Sequence, residues 1–196
     1  MCLIVVVTAN AQIIDRVLAV VAGQPITLSD VRAAIALGLV SPAPSGEKPE
    51  RAALNSLIDR QLQLMEVNRY LPPEPTSAEL DAKVAEIRAR FSGDAAFQAA
   101  LTENGFTPDQ LRARVRDNLR IEKYLSQRFG VGPEPSDEEL QRFYRSNDFR
   151  RDGIQRPYAE VRDEVKQRLV EERKAALIRD WVTGLRRRVD VAVLPM

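Results

Sequence analysis

The sequence predicts a mainly α-helical protein with a small antiparallel β element that joins its N- and C-terminal segments. Three observations lead to this prediction: a strand and turn pattern at residues 15–31, several long stretches with the apolar spacing of amphipathic helices, and alternating valines at residues 189–193. An isolated strand is only marginally stable, so the terminal strand needs the opening hairpin as its partner. The two ends of the chain are therefore expected to meet.

The opening segment is predicted to be a hairpin followed by a short helix. Residues 17–21 form a continuous apolar run, which is typical of a buried strand, and residues 23–25 supply the turn. Residues 26 and 27 resume an extended path. Ser29 and Asp30 can then cap a helix that extends to Leu39.

The central part of the chain is predicted to be helical. A proline-rich loop at residues 40–49 precedes a helix at 50–70, which carries an apolar stripe at Leu54, Leu57, Ile58, Leu62 and Met65. Three later helices begin at Thr76, Thr107 and Ser136, because each of these is followed three residues later by Glu or Gln, as in a capping box. A short helix containing Phe97 and Leu101 lies between the first two.

The last part of the chain is predicted to be a linker, a long helix and the terminal strand. Residues 146–156 show no clear periodicity and are interpreted as the linker. The helix extends from Pro157 to about Arg187, and its Trp181 is expected to pack in the core.

The composition excludes several classes of function. Basic and acidic residues nearly cancel, at 29 against 28, so nucleic-acid binding is not expected. No segment of the sequence is long and apolar enough to span a membrane, so stable membrane insertion is not expected either. The chain has no histidine and one cysteine, which argues against zinc sites and against Ser-His-Asp or Cys-His catalysis. Glycine-rich phosphate loops are absent from the sequence, and we expect no metal and no cofactor.

Residues 1–11 are predicted to be a remnant of a signal peptide. A short apolar run precedes Ala9-Asn10-Ala11, which fits cleavage before Gln12. The run is shorter than usual and lacks a positive region before it, so an additional N-terminal strand is the alternative. A signal peptide would place the mature chain in the periplasm or outside the cell.

Two segments carry a resemblance to a known family. DRVLAVVAGQPITLSDV (residues 15–31) and ALNSLIDRQLQLMEVNR (residues 53–69) together resemble the N-terminal domain of SurA-like periplasmic chaperones, which include the PpiD and PrsA foldases. PSDEELQRFYRSN (residues 135–147) resembles the segment that leads into the family's parvulin prolyl-isomerase domain. Residues 156–191 resemble its closing helix. The resemblance covers almost everything from residue 13 to residue 193.

The resemblance also shows a departure from the family. A parvulin domain needs about a hundred residues, and only about ten separate Asn147 from Pro157. The family's isomerase sites use histidine, which this chain lacks. The sequence therefore predicts a chaperone module without the isomerase: residues 12–196 as a single domain, formed by 12–147 and the returning segment 157–196.

The resemblance implies an ATP-independent periplasmic holdase, which is not an enzyme and has no catalytic residues. Its clients would be unfolded outer-membrane or exported proteins, bound in a groove between helices. Two alternatives stay open: an envelope assembly or structural subunit that binds one dedicated partner and forms a homodimer through the groove, or a degenerate prolyl isomerase. The candidate client-binding residues are Met65, Phe91, Phe97, Phe106, Tyr124, Phe129, Phe143 and Tyr144. For each of them, packing in the core is the alternative interpretation.

Overall fold

The computed structural model describes residues 15–130 and 132–195, so the predicted signal-peptide remnant lies outside the described residues. In chain order the elements are β1 (Val17–Val21), β2 (Gln24–Thr27), α1 (Leu28–Ala36), α2 (Pro49–Tyr70), α3 (Ser77–Arg88), α4 (Asp94–Glu103), α5 (Pro108–Phe129), α6 (Asp137–Ser146), β3 (Arg150–Arg151), β4 (Ile154–Gln155), α7 (Tyr158–Arg188) and β5 (Val191–Val193). The predicted fold class, mainly helical with a small antiparallel sheet, is confirmed.

The main sheet has three strands in the order β2-β1-β5. β1 and β2 are joined by a tight turn at Ala22 and Gly23, whose φ angles of 47° and 82° match the positive values that a two-residue hairpin needs. β5 pairs antiparallel with the other edge of β1 and places Val191 opposite Val21. The N- and C-terminal segments therefore meet, and β1 is the central strand.

The first hydrophobic cluster lies where this sheet packs against helices. β1 contributes Leu18 and Val21, which are almost fully buried. α1, α2 and the end of α7 cover them with Val31, Ala34, Leu54, Leu57, Ile58, Leu62 and Leu185. The apolar stripe predicted for α2 thus faces the sheet, and the stripe is the reason why the helix docks there.

A second cluster fills the space between the C-terminal end of α1 and the helices α3, α4 and α5. Its buried members are Ala33, Leu37, Leu80, Ile87, Phe97, Leu101, Leu111 and Val115. The predicted capping boxes at Thr76 and Thr107 are present, and each Thr side chain accepts the backbone N–H three residues later. A small third group, which we call the α2–α5 cluster, joins Val67 of α2 to Ile121 and Tyr124 of α5.

A separate hydrophobic cluster lies at the other end of α7, and we call it the α6–α7 cluster. It contains Leu140, Phe149, Val161, Val165 and Leu169. Phe149 comes from the segment between α6 and α7 and is almost fully buried. α7 is 31 residues long and takes part both in this cluster and, near its C-terminal end, in the first cluster. That residues 12–196 form a single domain stays a prediction.

Three local predictions need correction. α1 begins at Leu28, because Thr27 rather than Ser29 caps it, and the Asp30 carboxylate accepts the Thr27 N–H at 3.0 Å. The predicted linker at 146–156 contains the β3–β4 hairpin. Its turn at Asp152 and Gly153 has φ angles of 53° and 80°, as a tight hairpin requires. The terminal strand begins at Val191 instead of Val189, because the last turn of α7 extends to Arg188.

Candidate functional site

In the middle of α7, apolar side chains are exposed to solvent. Val161, Val165 and Leu169 pack into the α6–α7 cluster, and Trp181 and Leu185 pack against the first cluster. Between these two regions, residues 170–177 are all partly or fully exposed. Val170 and Leu177 are 40% and 53% exposed. This part of α7 therefore connects two packed regions without belonging to either core.

An open groove of about 620 Å³ lies between the middle of α7 and the segment that links α5 to α6. Its volume falls within the range of clefts that bind ligands. The apolar residues that line it are Phe129, Pro133, Pro135, Val170, Ala176 and Leu177. Because the groove is lined mostly by apolar side chains and is open to solvent, it can accept apolar side chains from another molecule.

The sequence explains why both walls of the groove form. Val170 and Leu177 are seven residues apart, which puts them two helical turns apart on one face of α7. The neighbouring alanines are small and leave room above the helix. On the opposite wall, Pro133 and Pro135 keep the segment extended, since proline cannot continue a helix and disfavours helical geometry in the residue before it.

Ion pairs connect the two walls. Lys166 and Arg173 of α7 pair with Glu134 and Glu139 on the opposite side, and Arg162 lies 2.6 Å from a carboxylate oxygen of Asp137. The hydrogen bond from Lys166 lowers the pKa of Glu134. The pKa of Glu139 is lowered first by the Ser136 backbone N–H and then by Arg173. These pairs are solvent-exposed, so each one adds little stability. They connect α7 to the segment between α5 and α6 and to the first turn of α6.

Aromatic side chains form one end of the groove. Phe129 lies with its ring centroid 5.7 Å from that of Trp181, which in turn lies 5.7 Å from Tyr124. The guanidinium of Arg128 lies 5.5 Å from the centre of the Phe129 ring, a cation–π distance. As predicted, Trp181 packs against the core, and it contacts the groove through Phe129.

The structure distributes the eight predicted client-binding residues over several regions. Phe129 lines the groove, and Tyr124 is buried behind it. Phe97 is buried in the second cluster, with its ring centroid 5.6 Å from that of the partly buried Phe91, and Phe106 packs against the same cluster. Met65 packs against the first cluster.

Phe143 and Tyr144 flank the α6–α7 cluster. Among the eight, only Phe129 belongs to the described lining of the groove. The other seven do not lie along one wall, and their role in client binding stays a prediction.

Sequence reasoning missed Val170 and Leu177. A signal for them exists: two apolar residues at a spacing of seven lie off the core face of α7, and Lys166, Arg173 and Lys174 surround them. An apolar pair that is separated from the core face of a helix and bordered by cations is a candidate contact surface.

The described residues contain no cluster of side chains that could hold a metal ion and no helix that could span a membrane. Within residues 15–130 and 132–195, no group of three or more His, Cys, Asp or Glu side chains could hold a metal ion. None of the helices in these residues is long and apolar enough to cross a membrane.

The comparisons with known proteins give one informative result, and it comes from structure. No protein-family model and no curated protein matches the sequence. A solved structure is similar over 93% of this chain and 100% of its own chain, with a TM-score of 0.54 and 16% sequence identity. At this identity the likeness shows the fold.

The fold is that of SurA-like chaperones. The similar structure is described together with two Campylobacter jejuni proteins, the virulence factor PEB4 and the periplasmic protein Cj1289, as two structurally related SurA-like chaperones. The resemblance inferred from residues 15–31 and 53–69 is therefore confirmed at the level of fold. Between α6 and α7 the described chain holds the short β3–β4 hairpin in place of a parvulin domain.

Proposed function

We propose that this protein is an ATP-independent chaperone that holds unfolded outer-membrane or other exported proteins in the periplasm. The observation that carries the proposal is the open, mostly apolar groove beside α7, within a SurA-like fold. The periplasmic location is part of the proposal, because one of the two SurA-like chaperones described with the similar structure, Cj1289, is a periplasmic protein.

The chemistry of the groove suits a holdase. Binding many different unfolded segments requires apolar surface with loose demands on shape, and it needs no titrating catalytic group. Val170 and Leu177 supply that surface on a rigid helix, and the proline segment supplies the other wall. The free energy of binding would come from burial of apolar surface, which requires no nucleotide.

We also propose that the protein does not catalyse prolyl isomerisation. The segment between α6 and α7, where the family has its parvulin domain, forms a hairpin with two residues in each strand. A parvulin domain would need about a hundred residues there. The protein is therefore expected to leave the rate of a proline-limited refolding reaction unchanged.

The experiment that tests the holdase proposal is the suppression of aggregation without ATP. An unfolded outer-membrane protein is diluted from urea into buffer with one equivalent of the protein, and light scattering is followed. We expect the natural protein to suppress aggregation of the client. We expect Leu177→Ser to bind the client about fivefold more weakly, because it removes roughly 1 kcal/mol of apolar contact.

Ile154→Ser is the matched control. Ile154 is an exposed apolar residue of β4 that does not belong to the groove lining, so the same substitution there is expected to leave suppression unchanged. If the natural protein does not suppress aggregation at a stoichiometric ratio, the holdase proposal is wrong. If the two variants lose activity equally, the groove is not the binding site.

A further inference from the structure

The charged side chains of the groove are not all paired. Two of its cations, Lys166 and Arg173, form ion pairs with Glu134 and Glu139 across the groove. Two other lining residues, Lys174 and Asp180, have no ion-pair partner within 4.0 Å among residues 15–130 and 132–195. One positive and one negative charge are therefore available to a bound molecule.

These two charges lie on either side of the apolar centre of the groove. Lys174 and Asp180 are six residues apart on α7, which corresponds to about 9 Å along the helix axis. Leu177 lies midway between them and is 53% exposed. Along the direction of α7, the groove thus presents a cation, an apolar side chain and an anion.

We propose that the groove favours extended polypeptide segments with one particular charge pattern. The segment has an apolar residue that packs on Leu177, an acidic residue two positions to one side of it and a basic residue two positions to the other side. The acidic residue pairs with Lys174 and the basic residue pairs with Asp180. This inference rests on the proposed function, because it names the class of client for the same groove.

Strand geometry accounts for the spacing of two. In an extended chain, alternate side chains point the same way and each residue advances about 3.3 Å, so the two charged residues stand about 13 Å apart. The unpaired charges of the groove are about 9 Å apart along the helix axis. Lys174 and the basic residue of the client are long and flexible, and their side chains cover the difference.

The inference is tested with four fluorescently labelled peptides that share a central Phe and differ only at the positions two before and two after it. These positions carry Glu and Lys, Gln and Gln, Lys and Lys, or Glu and Glu. Binding is measured by anisotropy at about 10 mM salt, where charges act over about 30 Å. The Glu and Lys peptide is expected to bind the natural protein about threefold to tenfold more tightly than the neutral peptide, because exposed ion pairs are individually weak.

Charge reversal in the groove provides the sharper readout. Lys174→Glu leaves two anions, so the doubly basic peptide is expected to become the tightest ligand. Asp180→Lys leaves two cations, so the doubly acidic peptide is expected to be the tightest ligand of that variant. In 1 M salt, where the screening length is about 3 Å, the differences between peptides are expected to disappear.

Arg179→Glu and Glu172→Lys are the matched controls. Both residues are exposed on α7 and lie outside the groove lining, and the two substitutions change the net charge as the groove variants do. We expect them to keep the natural order of affinities. Circular dichroism confirms that each variant is folded.

The outcomes separate this inference from the proposed function. If all four peptides bind equally, or if the control variants change the order as the groove variants do, the inference is wrong and the holdase proposal stands. If no peptide binds and aggregation is not suppressed, both are wrong.

Discussion

Glu79 connects two helices through one carboxylate. It is the third residue of α3, and its side chain accepts the backbone N–H of Thr76 at 2.7 Å, which completes the capping box. The same carboxylate accepts a hydrogen bond from the Lys123 ammonium of α5 at 2.9 Å. The Lys123 contact, followed by the Thr76 hydrogen bonds, lowers the pKa of Glu79 to about 2.

This pKa predicts an acid-dependent contribution to stability. The ordinary pKa of Glu79 is 4.5, so the ionised carboxylate stabilises the fold above pH 4.5. That contribution is lost as the pH falls from 4.5 to about 2, because over this range the unfolded state binds a proton at Glu79 that the folded state does not. Glu79→Gln keeps a side-chain acceptor for Thr76 but removes the charge. We expect a lower melting temperature than that of the natural protein at pH 7 and a much smaller difference near pH 2.

Glu172→Gln is the control for this prediction. Glu172 is exposed on α7 and makes no hydrogen bond or ion pair within the described part of the chain. The substitution is expected to leave the dependence of the melting temperature on pH unchanged. A difference between Glu79→Gln and the natural protein that stays constant from pH 7 to pH 2 would contradict the role of the ionised carboxylate.

Arg120 shows what the sequence could not reveal at the scale of a residue. It is the buried charged residue of the described chain, at 7% exposure. Its guanidinium donates to Asn68 at 2.9 Å and lies 3.0 Å from the Glu74 carboxylate. These partners come from the end of α2 and the following loop. An arginine on a helix is ordinarily a surface residue, and only the tertiary arrangement brings the two partners to it.

At the scale of secondary structure, β5 completes the sheet. The backbone N–H of Ala22 donates to the Asp190 carbonyl at 2.9 Å, and the Leu194 N–H donates to the Leu18 carbonyl at 2.9 Å. Both bonds lie at the ends of the β1–β5 pairing. Without β5, the central strand would have one edge without partners.

Deletion of residues 189–196 is therefore expected to destabilise the protein by about 3 kcal/mol or more. One edge of β1 loses its hydrogen-bond partners, and the first cluster loses its contacts with Val189 and Val191. Urea denaturation followed by Trp181 fluorescence measures this change. Val193→Ala is the control: Val193 is 58% exposed, so the substitution is expected to cost no more than about 0.5 kcal/mol. An unchanged denaturation midpoint after the deletion would refute the structural role of β5.

The starts of α3, α5 and α6 were predictable, because their signals are local. Thr76, Thr107 and Ser136 each cap the helix that the sequence indicated, since a capping box lies within four consecutive residues. The β3–β4 hairpin also had a local signal, the Asp152-Gly153 pair, which is typical of tight hairpin turns. It was missed because strands of two residues show no periodicity.

At the scale of the whole molecule, the hydrophobic residues divide into separate regions. The α6–α7 cluster shares none of its buried residues with the first, second or α2–α5 clusters. α7 and the segment before α6 connect it to the rest of the molecule. Phe149 is its centre: the rings of Phe143 and Tyr144 lie 6.3 Å and 5.7 Å from the Phe149 ring, and the Arg168 guanidinium lies 4.7 Å from it.

Phe149→Ala is expected to destabilise the α6–α7 cluster by about 3 kcal/mol and to leave the sheet region folded, because the cavity forms among side chains that belong to one region. Hydrogen exchange measures this directly. Amides of residues 137–169 should lose protection, and those of β1 and α2 should keep it. Leu18→Ala is the control, and the reverse pattern is expected for it. Equal loss of protection in both regions would show that the molecule unfolds as one unit.

The groove was not predictable from the sequence. It forms between the middle of α7 and the segment that links α5 to α6, and only the tertiary structure brings these two parts of the chain together. The sequence-based candidates were chosen mainly for aromatic character, but burial of an aromatic ring stabilises the fold, and Phe97 and Tyr124 are accordingly inside. In the sequence alone, Val170 and Leu177 look like ordinary exposed residues of a helix, because the segment that faces them is known only from the structure. Phe129, at the end of α5, lies in the groove lining, and its role in client binding stays a prediction.

The pairing of β1 with β5 also has a consequence for biosynthesis. Val21 and its partner Val191 are about 170 residues apart in the chain, and a ribosome adds about 5 to 20 residues per second. One edge of β1 is therefore without its partner for roughly 10 to 30 s of each round of translation. The first cluster can therefore be completed only when nearly all of the described chain has been made.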